Sequence, residues 1–420
     1  MKTISLALAA SFTIAGAAFA ASEKTDVLKT YADIAHAGYE DSLISARRLS
    51  SAVDALVGAP SAEALQAAKS AWRAARVPYQ QTEVFRFGNP IVDAWEGKVN
   101  AWPLDEGLID YVDASYGGAT DENPAAALNV VANASIMIGG EAIDAANITP
   151  ALLEGTLQEA GAVEANVATG YHAIEFLLWG QDLNGTDAGA GDRPWTDYAT
   201  GDACTNGNCD RRGAYLKAAT ALLISDLEWM TAAWAEGGEA RAEVTANPDS
   251  GISAILTGMG SLSYGEQAGE RMRLGLMLND PEEEHDCFSD NTHNSHYYDG
   301  LGVRNVYTGR YVRIDGRVVS GPSVSDLVAA AAPDVDAGIR RDLDRTMAAL
   351  GAIKTVAEAG KAYDQMLKAG DAEGEALIMG AVDALITQTR GVERAVEALA
   401  LNPIAFEGSD SLDNPDAVFQ

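Results

Sequence analysis

Apolar residues recur every three or four positions along most of this chain, a spacing that predicts a protein built from helices. Over 24–57 the stripe runs through Val27, Tyr31, Ile34 and Ala35, then Leu43, Ile44, Leu49 and Val53. Gly58-Ala59-Pro60 ends it. Ser61 is placed to cap a second helix carrying Leu65, Ala68, Trp72 and Ala75. Pro78 predicts a kink there, with helix resuming through Tyr79 to Arg86. Helical pieces are expected over 122–160, restarting at Asn147-Ile148-Thr149-Pro150. Longer helices are expected over 214–235, 252–278, 323–332, 335–350, 355–367 and 373–399. The 252–278 stretch contains five glycines, which lower helix propensity but allow close approach of neighbours.

Three stretches break the pattern. Residues 88–111 mix Trp95 and Trp102 with Asp93, Glu96, Asp105, Glu106 and Asp110, an expensive composition for a simple linker. Residues 181–212 are rich in Gly, Asp, Thr and Asn, and are the best candidate boundary between two halves, 21–200 and 201–420. Residues 303–319 read as a small β-hairpin region: Val303, Val306 and Tyr307, then Tyr311, Val312 and Ile314, with Asp315-Gly316 as the turn. Short connections between the remaining helices favour antiparallel bundles.

Composition narrows the setting. The start reads as a secretory leader over 1–20, with Lys2, an apolar core and Ala18-Phe19-Ala20 before the cut. No later stretch is long and apolar enough to span a bilayer. The net charge of −32 disfavours nucleic acid and anionic lipid, and favours cations or basic partners. In an oxidising compartment Cys204 and Cys209, flanking a turn-rich tetrapeptide, are expected to form a local disulfide, leaving Cys287 free.

The chemistry centres on 170–180. From Tyr171 to Trp179 nearly every residue is apolar, which predicts a buried helix. It nevertheless carries His172 and Glu175, three positions apart and hence on one face. A buried carboxylate needs a partner, a hydrogen bond or a metal. A structural His–Glu pair satisfies that need as well as a ligand set does. Candidate partners are Glu83, the carboxylates of 93–110, Glu266 with Arg271, and the segment 280–298, where His285, His293 and His296 stand among acids. Carboxylate with imidazole suits iron, and also admits zinc or manganese.

These blocks together resemble the imelysin family. Gly170-Tyr-His172-Ala-Ile-Glu175 matches its Gly-x-His-x-x-Glu motif. Tyr79-Gln-Gln-Thr-Glu83, Asn100-Ala-Trp-Pro-Leu-Asp105-Glu106, Gly258 to Met272 and His285 to His293 are similar to further family blocks. The last is typical of the branch that includes iron-regulated protein A. The resemblance implies an all-α fold of two similar four-helix bundles with a site at their interface, and a role in bacterial iron acquisition. By matching position it implies His172, Glu175, Glu83, Asp105 and His285 as metal ligands, and Glu266 and Arg271 as residues toward a bound iron complex. The partners implied are iron or an iron complex and a membrane iron-transport component, for a periplasmic protein that is free or associated with the outer membrane.

Two other readings stay open. A metallopeptidase would need three protein ligands, a bound water and a general base, and the chain lacks His-Glu-x-x-His. A non-catalytic scaffold would use the polar cleft for a glycan or a protein partner.

Overall fold

The computed structural model describes residues 5–120 and 123–419, with side chains from residue 23 onward. The expected leader therefore falls on positions 1–4, outside the described residues, and on positions whose side chains are not described. The fold is all-α apart from two small two-stranded sheets. We label the principal helices α1 (Ser5–Gly58), α2 (Ala62–Gln80), α3 (Gly170–Trp179), α4 (Cys209–Trp234), α5 (Pro248–Ser261), α6 (Thr292–Thr308), α7 (Pro333–Glu358) and α8 (Ala372–Ala398).

The helix ends follow local chemistry. The Ser61 hydroxyl accepts from the Ala64 amide at 3.1 Å and starts α2. Asn247 accepts from the amides of Asp249 and Ser250, with Pro248 at the first helical position of α5. Pro78 lies inside α2, but the helix ends two residues later rather than reaching Arg86. A single 3₁₀ turn, Glu83–Phe85, follows and redirects Glu83. Beyond α5 the chain continues as a π-helical stretch, Leu262–Arg273.

Helix packing falls into two sets. In one, α1 packs on α2 and α4, and α3 packs on α2 and α4. In the other, α8 packs on α7, α5 and the π-helical stretch, and α6 packs on α7. The sets meet where α2 packs on α6 and α1 packs on α5. The larger apolar cluster runs from Val27 to Val396 and draws on both sets. A smaller one joins Met272, Leu350, Met366, Ile378 and Leu385. Among the described residues no helix is long and apolar enough to cross a membrane.

The strands correct two expectations. Val303, Val306 and Tyr307 lie on α6: their i, i+3, i+4 spacing belongs to one helix face, and Gly309 at φ +62° ends that helix. The hairpin begins only at β3 (Arg310–Val312), which pairs with β4 (Val318–Ser320) across the expected Asp315-Gly316 turn. Asp41 of α1 holds it by accepting from the Tyr311 hydroxyl at 2.9 Å and from Arg313 at 2.8 Å. The second hairpin, β1 (Ser135–Ile138) with β2 (Glu141–Asp144), lies inside 122–160, where helix was expected. Gly139 and Gly140, both at positive φ, make its turn. The helix expected over 355–367 is divided, because α7 runs on to Glu358 and a separate short helix spans Tyr363–Leu367.

Candidate metal centre

The centre lies at the junction of the two helix sets and is anchored by α3. Gly170 starts α3 at φ +77°, and a Cβ there would strike the Val99 carbonyl. The same close approach lets the Tyr171 amide donate to Val99 at 2.7 Å, while Trp72 Nε1 donates to the Tyr171 carbonyl at 2.9 Å. All ten residues of α3 are buried, as its sequence requires.

His172 Nδ1 lies 3.0 Å from Glu175 Oε2, and Glu175 Oε1 accepts from the Ser289 amide at 3.0 Å. Both carboxylate oxygens are thus engaged, and Glu175 orients the imidazole. When Glu175 is ionised, Nδ1–H donates to it and Nε2 offers a lone pair; when Glu175 is protonated, its hydroxyl donates to Nδ1 and the ring proton sits on Nε2. Nε2 is buried and has no hydrogen-bond partner. The His172 and His285 rings meet edge to face at 4.9 Å. One donor atom each from His172, His285 and Asp286 falls within 4.8 Å of the others, the single such His/Cys/Asp/Glu group among the described residues.

Electrostatics keep these donors in ligand form. Burial lowers the His172 pKa to about 3, with the Arg76 guanidinium adding to the effect. Burial and Arg271 hold His285 well below its ordinary value. Burial alone would raise Asp286, but the guanidinium of Arg76, 2.8 Å away, outweighs it and keeps the carboxyl low and ionised. Burial, then Asp286, push Glu175 well above the usual carboxylate range. Asn291 and Ser295 donate to the second Asp286 oxygen and fix its plane.

A second group surrounds Arg271 and adjoins the first. Its guanidinium meets Glu83 at 2.9 Å, Glu266 at 2.7 Å and Asp299 at 3.1 Å. Glu266 and Arg271 are five positions apart, and share a face because this stretch winds as a π-helix. Asn100 links the groups: Oδ1 accepts from Arg76 at 2.5 Å, and Nδ2 lies 3.4 Å from Glu83 and 3.5 Å from His285.

Of the residues singled out in the sequence, His172, Glu175 and His285 come together directly. Glu83, Glu266 and Arg271 form the adjoining ion-pair group, with Glu83 bonded to Arg271. Asp105 stands apart, accepting from Tyr116 at 3.0 Å and from Asn123. The reading missed Arg76, Asn100, Asp286 and Asp299. A signal existed for Arg76: it stands four residues after Trp72 and three before Tyr79, on the apolar face of α2, and is 1% exposed. Asn100 and Asp299 carry no such local mark.

The donor set suits a cation. Two neutral imidazoles and one ionised carboxylate are ligands for iron, zinc or manganese, and the unpartnered Nε2 is the atom such an ion would use. Arg76, paired with Asp286 at 2.8 Å, places a positive charge beside the donor set.

A family model described as imelysin matches residues 35–392 of this chain. Iron-regulated protein A of Synechococcus elongatus is 40% identical over 60 residues, which are 14% of this chain and 17% of that protein. The crystal structure of a protein from Parabacteroides distasonis, provisionally named iron-regulated protein A precursor, superposes with a TM-score of 0.64. It is 20% identical and covers 90% of this chain and 95% of its own, a likeness of fold.

Proposed function

Since the chain belongs to the imelysin family, we propose that it is an exported iron-uptake protein that binds iron, or a small iron complex, where its two helix sets meet. We read the two sets as two bundles with α4 in the first. The carrying observation is His172: its Nε2 is buried and unpartnered, and a donor atom of its ring lies within 4.8 Å of donor atoms of His285 and Asp286. His172, His285 and Asp286 would ligate the ion, and Glu175 would orient His172. Glu83, Asp299 and Glu266 on Arg271 would form a charged wall. The strongly acidic chain favours cation capture. A periplasmic location and delivery to a membrane transport component complete the proposal.

The peptidase reading is the weaker one. It needs a free general base beside the ion, and both Glu175 oxygens are already hydrogen-bonded.

The test is a titration of Fe(II) and Zn(II) into the metal-free protein, followed by elemental analysis. His172→Ala/His285→Ala should bind one cation fewer per chain than wild type while keeping a cooperative melt. Equal stoichiometry and affinity in the two folded proteins would sink the proposal.

A further inference from the structure

A cavity of about 370 Å³ that the reading above does not use is lined by residues from 111–113, 179–184 and 190–193. Its wall includes Arg193, which is 3% exposed and fixed in place. Nη1 of Arg193 donates to Asp110 at 2.8 Å and to Asp197 at 3.1 Å. The guanidinium lies 4.9 Å from the centre of the Tyr111 ring and 5.4 Å from that of Phe176. Its other two nitrogens, Nε and Nη2, are buried and have no partner. Buried donors are rarely left so. These two form one edge of the planar group, the fork that takes both oxygens of a carboxylate.

Gly180, which ends α3 at φ +71°, lines the same cavity and faces this fork. A Cβ on Gly180 would stand 3.7 Å from Nε and 3.8 Å from Nη2, and the three atoms nearest to it all belong to Arg193. The missing side chain thus leaves a methyl-sized space against the fork. Trp179, also in the wall, has Lys69 Nζ 5.1 Å and the Arg73 guanidinium 5.0 Å from its ring. Neither cation forms an ion pair with a carboxylate among the described residues, so positive charge is in excess on this side. Val112, Leu183 and Ala190 give the cavity apolar surface, and the exposed Asp113 and Asp192 repel a ligand with a second negative charge.

We propose that this cavity binds a small organic monocarboxylate, its two oxygens on Arg193 Nε and Nη2 and its apolar body against Trp179 and Leu183. The carboxylate completes the one side of the guanidinium that the protein leaves unbonded. The proposal does not depend on the His172 centre, and its test uses metal-free protein.

The probe is para-bromobenzoate, titrated calorimetrically into the full chain with neutral para-bromobenzamide as its control. Soaked crystals are measured at the bromine absorption edge. Wild type should bind one equivalent saturably, with the bromine peak in the cavity and the carboxylate on Arg193. The benzamide should bind about tenfold or more weakly. Arg193→Lys, which keeps a charge toward Asp110 but loses the fork, should weaken the benzoate to the same degree. Leu183→Asp, at a position 65% exposed, should also weaken it, by like-charge repulsion. Equal affinity for benzoate and benzamide, a peak away from Arg193, or no binding overturns the proposal. A peak in crystals without saturable binding in solution is binding at crystal concentration only, and overturns it too. The wild-type titrations and peak decide the matter even if Arg193→Lys fails to fold.

Discussion

Two buried clusters in this protein both set carboxylates against guanidiniums and differ in closure. Around Asp110 and Asp197 every carboxylate oxygen is matched. Arg212 grips Asp110 at 2.5 and 3.0 Å, and Arg193 adds a bond at 2.8 Å. Asp197 accepts from Arg193, from the Tyr111 hydroxyl, and from Thr205 and Asn206 in the loop closed by the Cys204–Cys209 disulfide. Two carboxylates face two guanidiniums, so the cluster is electrically balanced and its acids fully bonded. Around His172 the balance is incomplete: two imidazoles are held neutral, and Nε2 of one has no partner. Burial is equal in the two places and so carries no functional information. The kind of unspent bonding capacity distinguishes them. In the Asp110 cluster the unpartnered atoms are donors, Arg193 Nε and Nη2, which offer a cation nothing; at His172 it is a ring nitrogen, a possible ligand atom.

The comparison breaks most readily at Asp110. Asp110→Ala strands Arg193 and Arg212 in the interior and should cost roughly 3–5 kcal/mol of stability, with cation stoichiometry unchanged at temperatures where the variant is folded. Chemical denaturation with a parallel metal titration measures both. A loss of bound metal without a loss of stability would show that the two clusters are not divided as described.

The converse change is Glu175→Gln. It removes the carboxylate behind His172 but keeps the shape, and it should weaken cation binding about ten- to a hundredfold with little effect on the melting temperature. Unaltered affinity would reduce the His172–Glu175 contact to packing.

The last effect concerns pH and Glu96, which lies 3.6 Å from Arg86 beside the Arg271 group. Burial and the neighbouring Glu83 push Glu96 up to about 7. Between its ordinary value of 4.5 and 7 the folded chain holds a proton that the unfolded chain releases. Stability therefore falls as pH rises through that window, by up to about 1.4 kcal/mol per unit from this group. Glu96→Gln should flatten the slope. Melts of both proteins at several pH values test this, and parallel profiles would remove Glu96 as the cause.

Most of the helices were legible because apolar spacing reports which face is buried, and Ser61 caps α2 through its own backbone neighbours. The buried α3 with His172 and Glu175 on one face and the Cys204–Cys209 pairing were legible on the same local grounds. The hairpin at 135–144 was not, because strands of four residues are too short to display a period. Nor was the π-helical winding that brings Glu266 to Arg271 across five positions. Tertiary structure alone decided which charges meet. Arg76 finds Asp286 across 210 residues, and Arg271 finds Glu83 across 188. It also made Glu175 the residue that orients His172, by placing the Ser289 amide on its second oxygen. Periodicity records that a side chain leaves water. A buried charge must then be met by groups from any part of the chain, and only the packed helices determine which groups arrive and which atoms remain open.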